Sequence, residues 1–291
     1  MDFRTPVALP AEAPTISPST HALVLGSCFA EHIGERLRLT LGAEQCCVNP
    51  FGVLYNPMSI AQALQLILAL PSGHDGPLPS RIDDAIFEGR DALWHSWFHS
   101  THYSATTREE CRSRCLVALT EARRILDRAD LLIVTFGTSR CYSLADGTVV
   151  ANCHKELPTT FTERDCTVGE IVGIWRPLLE RLHQLRPGLK VVFTVSPYRY
   201  RKYGFHASQL AKARLLLATD ELGETYFPAY EIVLDELRDY RFYKPDMLHP
   251  SEQAVDYIWE RFQDWCFSPE TKQLYQQHIK QQKALNHHAN H

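Results

Sequence analysis

Two short stretches, far apart in the chain, carry side chains that could do chemistry together. Cys28 follows Gly26 and Ser27 where a buried strand, residues 22–25, gives way to an amphipathic helix. At such a helix start, unpaired N–H groups and the positive end of the dipole favour a thiolate and can hold an oxyanion. Late in the chain, Asp246 stands three residues before His249, where its carboxylate could fix the tautomer of the imidazole. Together they predict a cysteine nucleophile with a histidine base.

Each of these residues has a second interpretation that the sequence leaves open. A free cysteine is often a small buried apolar residue, so Cys28 could be inert. Asp246 and His249 could form an ordinary turn before a helix that starts at Pro250. Ser27 could be the nucleophile instead, although a serine at this position is also expected to cap the helix.

Three histidines, His95, His99 and His102, have a spacing that zinc ligands also use on helices. Their tryptophan and phenylalanine neighbours fit a flap or hairpin over a substrate equally well. Because no HExxH motif accompanies them, we expect His95 to line a pocket rather than to bind a metal.

Two further polar stretches could contact a substrate. The first contains Asn152, His154 and Lys155 in a loop rich in turn residues, and such residues are also common on ordinary surfaces. The second is the basic and aromatic run at residues 199–203, which could be a solvated loop or could contact a phosphate-bearing substrate or carrier.

The elements that must position these residues alternate between strands and helices. Apolar runs predict strands at residues 22–25, 130–137, 190–196 and near 226–233, and apolar residues at helical spacing separate them. This alternation predicts an α/β fold with three α/β/α layers and a central, mostly parallel sheet. In such sheets ligands bind beyond the carboxyl ends of the strands, so the loops after Leu25, Gly137 and Ser196 are expected to meet.

The domain organisation is predicted from the same pattern. We expect a single domain over residues 1–291, with a surface lead-in at 1–20 and insertions near 71–107 and 141–167. The second insertion contains a polar, turn-rich segment at 146–167. The tail, 268–291, is polar and glutamine-rich and predicts a surface helix that frays.

Composition limits the partners. Lys and Arg number 30 against 34 Asp and Glu, a formal charge of −4, which argues against general nucleic-acid binding. The nine cysteines are scattered without a CxxC pair, which favours a reducing compartment over a disulfide framework. We see neither a signal sequence nor a run long enough to span a bilayer, so we expect a cytoplasmic protein that does not act at a membrane.

The chain resembles the GSCFA family over roughly residues 20–265. The resemblance rests on an ordered set of motifs: Gly26-Ser-Cys-Phe-Ala30, Asn49-Pro-Phe-Gly-Val-Leu-Tyr-Asn-Pro57, Trp94-His-Ser-Trp97, Phe136-Gly-Thr-Ser139, Asn152-Cys-His-Lys155, Ser196-Pro-Tyr-Arg199 and Asp246-Met-Leu-His-Pro250. This family is similar to the SGNH (GDSL-like) hydrolases, whose fold has a flavodoxin-like topology. The resemblance therefore implies an esterase or acyltransferase.

The SGNH hydrolases have Gly-Asp-Ser after the first strand, where this chain has Gly26-Ser27-Cys28. The resemblance therefore places Cys28 at the position of the nucleophile and Ser27 at that of the preceding Asp, and it implies that His249 and Asp246 complete the triad. Gly52 falls where a backbone N–H contributes to the oxyanion hole. The Asn that usually donates to the oxyanion is missing, because Gly137 is followed by Thr-Ser-Arg, so Ser139, Asn56 or Asn152 must replace it.

The resulting expectation is a cofactor-free enzyme that transfers an acyl group from a small-molecule or carrier-bound ester or thioester. Two alternatives stay open. One is a catalytically silent protein that binds an acylated metabolite, and the other is a zinc-dependent hydrolase built on the His95 cluster. The oligomeric state is not predicted.

Overall fold

A computed structural model describes residues 4–71 and 80–289. Within them the strands are β1 (Ala22–Gly26), β2 (Cys46–Val48), β3 (Ile86–Glu88), β4 (Trp94–Ser96), β5 (Leu131–Phe136), β6 (Arg140–Ser143), β7 (Val149–Val150), β8 (Thr162–Asp165), β9 (Lys190–Val195) and β10 (Thr225–Tyr226). The α-helices are α1 (Cys28–Leu41), α2 (Pro57–Ala69), α3 (Ser80–Asp84), α4 (Arg108–Leu126), α5 (Val168–Leu185), α6 (Phe205–Leu222), α7 (Ala229–Glu231), α8 (Glu252–Cys266) and α9 (Pro269–Ala289).

Five of these strands form the central sheet, in the order β10-β9-β5-β1-β2. All four neighbouring pairs are parallel. Numbered along the chain, these five strands have the 2-1-3-4-5 order of flavodoxin-like sheets, in which the order of the strands reverses between β1 and β5. The predicted three-layer fold with a parallel sheet and flavodoxin-like topology is confirmed.

Both faces of this sheet are buried, and they belong to two separate cores. On β1, Leu23 and Leu25 join a core formed with α2, α4, α5 and α6. Their neighbours Ala22 and Val24 point the other way, into a core formed with α1 and α8. Because successive side chains of a strand alternate between faces, a strand covered on both sides must be apolar throughout, as β1 is.

The two segments predicted as insertions carry small antiparallel sheets of their own. β3 pairs with β4, which confirms a hairpin around the histidine-rich stretch. In the second segment β6 pairs with both β7 and β8, so a three-stranded sheet stands where only turns were expected. β8 escaped notice because three of its four residues are exposed and all four are polar.

The strand predicted near residues 226–233 is mostly wrong. β10 ends at Tyr226, and the chain turns into α7 and then a π-helical segment, Ile232–Leu237. Pro228 stands at the start of α7. Proline has no N–H to donate to a strand ladder, and its fixed φ suits a helix start.

The segment around Ile16 lies against the end of α8 and the start of the C-terminal tail. The N–H of Ile16 donates to the carbonyl of Cys266 (2.7 Å), and Thr271 Oγ1 donates to the carbonyl of Ile16 (2.8 Å). Ile16 and Thr271 are both fully buried. Further along α9, the ring of His278 bonds the carbonyl of Leu39 (2.8 Å). The tail is therefore a helix at the surface, as predicted, and it contacts the rest of the domain at Thr271 and His278.

The most apolar helix, α2, is 13 residues long. A helix that crosses a bilayer needs about 20 apolar residues. Within residues 4–71 and 80–289, no helix is long and apolar enough to span a membrane.

Candidate active site

The turn after β1 depends on a glycine. Gly26 has a φ of +140°, and a Cβ there would lie 2.3 Å from the carbonyl oxygen of Thr135 on β5. Its N–H donates to the side-chain oxygen of Asn49 (2.8 Å), and its carbonyl accepts from Leu54 (2.9 Å). The turn is thus fixed on both sides, and α1 begins two residues later at Cys28.

Cys28 is the first residue of α1 and is partly exposed. Of the nine cysteines, all free thiols, only Cys28 and Cys153 are not fully buried, and both line the same pocket. Burial raises the pKa of the Cys28 thiol, while the backbone N–H groups of Phe29 and Cys28 and the charge of Lys212 act in the opposite direction. The helix start therefore offsets part of the cost of ionising a half-buried thiol.

Ser27 occupies the N-cap position of α1, as predicted, but its side chain makes no capping hydrogen bond. Its hydroxyl is buried and has no partner among the residues that the structure describes. No described residue is therefore placed to act as a base for the Ser27 hydroxyl.

His249 and Asp246 form the expected pair. His249 Nδ1 lies 2.5 Å from Asp246 Oδ2, and Asp246 Oδ1 accepts the N–H groups of Leu248 (2.8 Å) and His249 (3.0 Å). These bonds lower the pKa of Asp246 well below its usual range, with the side-chain bond to His249 the largest cause. Since Nδ1 is committed to the carboxylate, Nε2 is the nitrogen that can serve as a base. The ring of Tyr198 packs against His249, with centroids 4.3 Å apart.

Arg199 holds the loop that carries this pair. Its N–H donates to the carbonyl of Leu248 (3.0 Å), and its guanidinium donates to the carbonyl of Met247 (3.0 Å). The guanidinium also lies over the rings of Phe205 and Tyr243. Arg199 is therefore engaged in structure and is not among the pocket residues, whereas Tyr200 of the same basic run does line the pocket.

A cavity of about 380 Å³ lies beyond the carboxyl ends of β1, β5 and β9 and brings the candidate residues together. The loops after Leu25, Gly137 and Ser196 meet there as expected. The lining residues are Ser27, Cys28, Tyr55, Asn56, Gly137, Thr138, Arg140, Tyr142, Ala151, Asn152, Cys153, Ser196, Tyr198, Tyr200 and His249. No hydrogen bond joins the Cys28 thiol to His249 among the described residues, and such bonds often tighten only when substrate is bound.

Two of the groups predicted to donate to the oxyanion already donate to other atoms of the protein, so these two predictions are wrong. The N–H of Gly52 donates to the carbonyl of Asn49 (2.7 Å), so it is already used. The Ser139 hydroxyl is buried and donates to Asp165 (2.6 Å), and neither Gly52 nor Ser139 lines the pocket.

Asn56 is the best placed of the remaining donors. It caps α2 and accepts the N–H of Ser59 through its side-chain oxygen (2.8 Å), which fixes the plane of the amide. The amide nitrogen makes no hydrogen bond within the described part of the chain, and Asn56 lines the pocket. Asn152 also lines it, with its side-chain oxygen accepting the N–H of His154 (2.8 Å).

Three other expected substrate contacts lie outside the pocket. His154 is buried, with Nε2 bonded to the carbonyl of Ser96 (2.9 Å), and Lys155 is exposed beside it. His95 is 2% exposed and packs against His154, with centroids 4.5 Å apart. The expectation that His95 lines the pocket is therefore wrong, and neither His154 nor Lys155 lines it.

His95, His99 and His102 are not arranged to bind a zinc ion. Both ring nitrogens of His95 are used, Nδ1 by Ser104 (2.6 Å) and Nε2 by Asp91 (2.9 Å). His99 is fully buried and bonds Ser96, while His102 is exposed. Over the described ranges, no group of three or more His, Cys, Asp or Glu side chains is arranged to hold a metal ion.

Part of the site was not predicted from the sequence. Tyr55, Tyr142 and Tyr198 give the pocket its aromatic walls, and Lys212 of α6 lies fully buried beneath it. Tyr55 and Tyr198 stand in loops, and Tyr142 stands in the short strand β6, where no periodicity marks them. Lys212 did leave a signal, because it shares the helical spacing of Ser208 and Leu215 on the buried face of α6.

Fold and site together define an α/β protein with a cysteine, a histidine and an aspartate at the switch point of a parallel sheet. The chain belongs to the GSCFA family, whose model matches residues 21–262. Neither the curated proteins nor the solved structures include a match to this chain.

Proposed function

We propose that this protein is an acyl-transferring enzyme that uses Cys28 as nucleophile, His249 as general base and Asp246 to orient the imidazole. The observation that carries the proposal is the 2.5 Å contact between Asp246 and His249 at a pocket that also holds Cys28 at a helix start. Nucleophile, base and orienting carboxylate are the three roles that acyl transfer through a covalent intermediate requires.

The proposed reaction has two halves. His249 Nε2 takes the thiol proton as the sulfur of Cys28 attacks the acyl carbonyl, and the backbone N–H of Cys28 with the amide of Asn56 holds the negative oxygen. The leaving alcohol or thiol then takes the proton from His249 as its bond to the acyl carbon breaks. In the second half His249 removes a proton from water or an acceptor as that molecule attacks the thioester, the bond between the acyl carbon and sulfur breaks, and His249 returns the proton to the sulfur of Cys28. Each oxyanion donor typically contributes about 10²–10³ in rate.

We assign the finer chemistry by relation to the SGNH hydrolases. The flavodoxin-like strand order and the Asp-x-x-His loop support that relation. The chain departs from it at Cys28 and at the missing oxyanion asparagine, for which Asn56 substitutes in the proposal. The substrate we propose is a small-molecule or carrier-bound ester or thioester, in a reducing cytoplasmic compartment that keeps the nine thiols free.

Mass spectrometry of the intact protein tests the proposal directly. The protein is incubated with a panel of acyl thioesters and activated esters, and wild type is compared with Cys28→Ala and Cys153→Ala. An acyl adduct that Cys28→Ala loses and Cys153→Ala retains is the expected result, because the two partly exposed thiols share the pocket but only Cys28 begins a helix. An adduct that persists in Cys28→Ala, or no adduct on folded wild type, overturns it.

A second candidate is a silent protein that binds an acylated metabolite in the same pocket. It is favoured by the burial that raises the pKa of Cys28 and by the absence, among the described contacts, of a hydrogen bond between that thiol and His249. Iodoacetamide separates the two candidates. A working nucleophile reacts at neutral pH faster than an ordinary thiol, whereas a thiol kept only for packing reacts more slowly.

A further inference from the structure

Lys212 is a buried cation that neither half of the proposed reaction uses. It is 2% exposed, and its Nζ donates to the carbonyl oxygens of Gly137 (2.7 Å) and Ser196 (2.6 Å). An ammonium removed from water is costly unless hydrogen bonds or an opposite charge compensate it. The burial of Lys212 is therefore costly, and we ask what its ammonium does for the site.

No carboxylate pairs with this ammonium within residues 4–71 and 80–289. Its neighbours are the two carbonyl dipoles and the ring of Tyr230, whose centroid lies 5.6 Å from Nζ. Burial lowers the pKa of Lys212 to about 7, and the charge of the Cys28 thiolate opposes that effect. The anion that would compensate Lys212 best is thus the thiolate of the candidate site.

The two carbonyls identify what Lys212 joins. Gly137 and Ser196 directly follow β5 and β9, and both line the pocket. A Cβ on Gly137 would lie 3.4 Å from the side chain of Ser27, so this junction lies next to the turn that carries Cys28.

We propose that Lys212 is a positioning residue of the site, whose ammonium joins the ends of β5 and β9 beneath the pocket and supplies positive charge to the Cys28 thiolate. The inference rests on the proposed function in taking Cys28 as the reactive group, but it needs no particular acyl substrate. This role accounts for a lysine on the buried face of α6 and for the fixed positions of Gly137 and Ser196, where two of the pocket loops begin.

Other charges also face Cys28. Glu31 of α1 raises the pKa of the thiol, and the hydroxyls of Tyr55 and Tyr198 are electrostatically coupled to it. His249, whose ring bonds Asp246, also lines the pocket. Lys212→Met changes none of these residues, so a change in the behaviour of the thiol on that replacement reports on the charge and the contacts of Lys212.

The test follows alkylation of the Cys28 peptide by iodoacetamide from pH 6 to pH 10, in wild type and Lys212→Met. The wild-type profile should be broad, because a thiol and an ammonium that interact titrate as a pair. In Lys212→Met we expect a single step, displaced upward by roughly one pH unit, and about tenfold slower alkylation at pH 7. Lys190→Met is the control, since it removes a lysine from the opposite, exposed end of β9.

Superimposable profiles for folded Lys212→Met and wild type overturn the inference. If Lys212→Met does not fold, ¹³Cε-lysine NMR on wild type and Cys28→Ala decides. Loss of the thiolate should lower the pKa of the lysine that titrates near neutrality, and an unchanged titration refutes the coupling. Neither readout uses an acyl donor, so a protein that shows the coupling but is never acylated refutes the proposed function alone.

Discussion

Replacing Gly26 by alanine tests the turn that carries Cys28. The new Cβ would lie 2.3 Å from the carbonyl oxygen of Thr135 and 2.9 Å from its nitrogen, so a backbone of the central sheet must move. Forcing a side chain into such a space costs typically about 1–3 kcal/mol. A φ of +140° adds about 1–2 kcal/mol for an L-residue. We expect Gly26→Ala to lower the free energy of unfolding by about 2–5 kcal/mol.

The assay is urea unfolding followed by circular dichroism, with Gly147→Ala as matched control. Gly147 also has a positive φ, +86°, but a Cβ there meets no described atom within 4 Å. Its replacement therefore reports the backbone cost alone, about 1–2 kcal/mol. If the two variants lose the same stability, the close approach of β1 and β5 is not what requires glycine at position 26. Alkylation of Cys28 should slow in Gly26→Ala only, since only that variant displaces the thiol.

Three further outcomes follow from the site and its surroundings. Asn56→Asp keeps the oxygen that caps α2 through Ser59 but loses the amide donor, so acylation should fall about 10²–10³-fold while stability is retained; a rate within threefold of wild type removes Asn56 from the oxyanion hole. Asp246→Asn should leave the fold intact and slow acylation about 10⁴-fold at every pH between 5 and 9, because His249 loses the partner that fixes its tautomer; rates measured across that range would show it. Burial lowers the pKa of His154 to about 4, so below about pH 6.5 the unfolded chain takes up a proton there and the folded chain does not. The free energy of unfolding should therefore drop by about 2 kcal/mol from pH 6.5 to pH 5 through this residue. Urea titrations of His154→Leu should show a correspondingly flatter dependence on pH.

The sequence predicted the central sheet well because its strands are buried on both faces. A run such as residues 131–136 is apolar or small throughout, which predicts a strand covered on both faces. Asp246 and His249 were predictable for a different reason, since three residues of one turn determine their contact. Both inferences depend on short-range geometry.

Other parts of the fold could not be predicted because long-range contacts decide them. β8 is exposed and polar, and only its pairing with β6 makes it a strand. Which backbone N–H groups remain unused depends on the folded turn, as at Gly52, where Asn49 takes the donor. Lys212 shares the spacing of the buried face of α6, but a lysine is usually exposed, and only the carbonyls that follow β5 and β9 account for its burial.

The contact between the chain ends sets a limit on the order of assembly. Thr271 and Ile16 are 255 residues apart in the chain, yet their hydrogen bond closes the core in which α1 and α8 pack on the sheet. During synthesis on the ribosome, that closure must wait until residue 271 has emerged. The thiol at the start of α1 is translated well before the histidine that we propose as its base. Any activation of Cys28 by His249 must therefore wait until His249 has been translated and its loop has folded against the pocket.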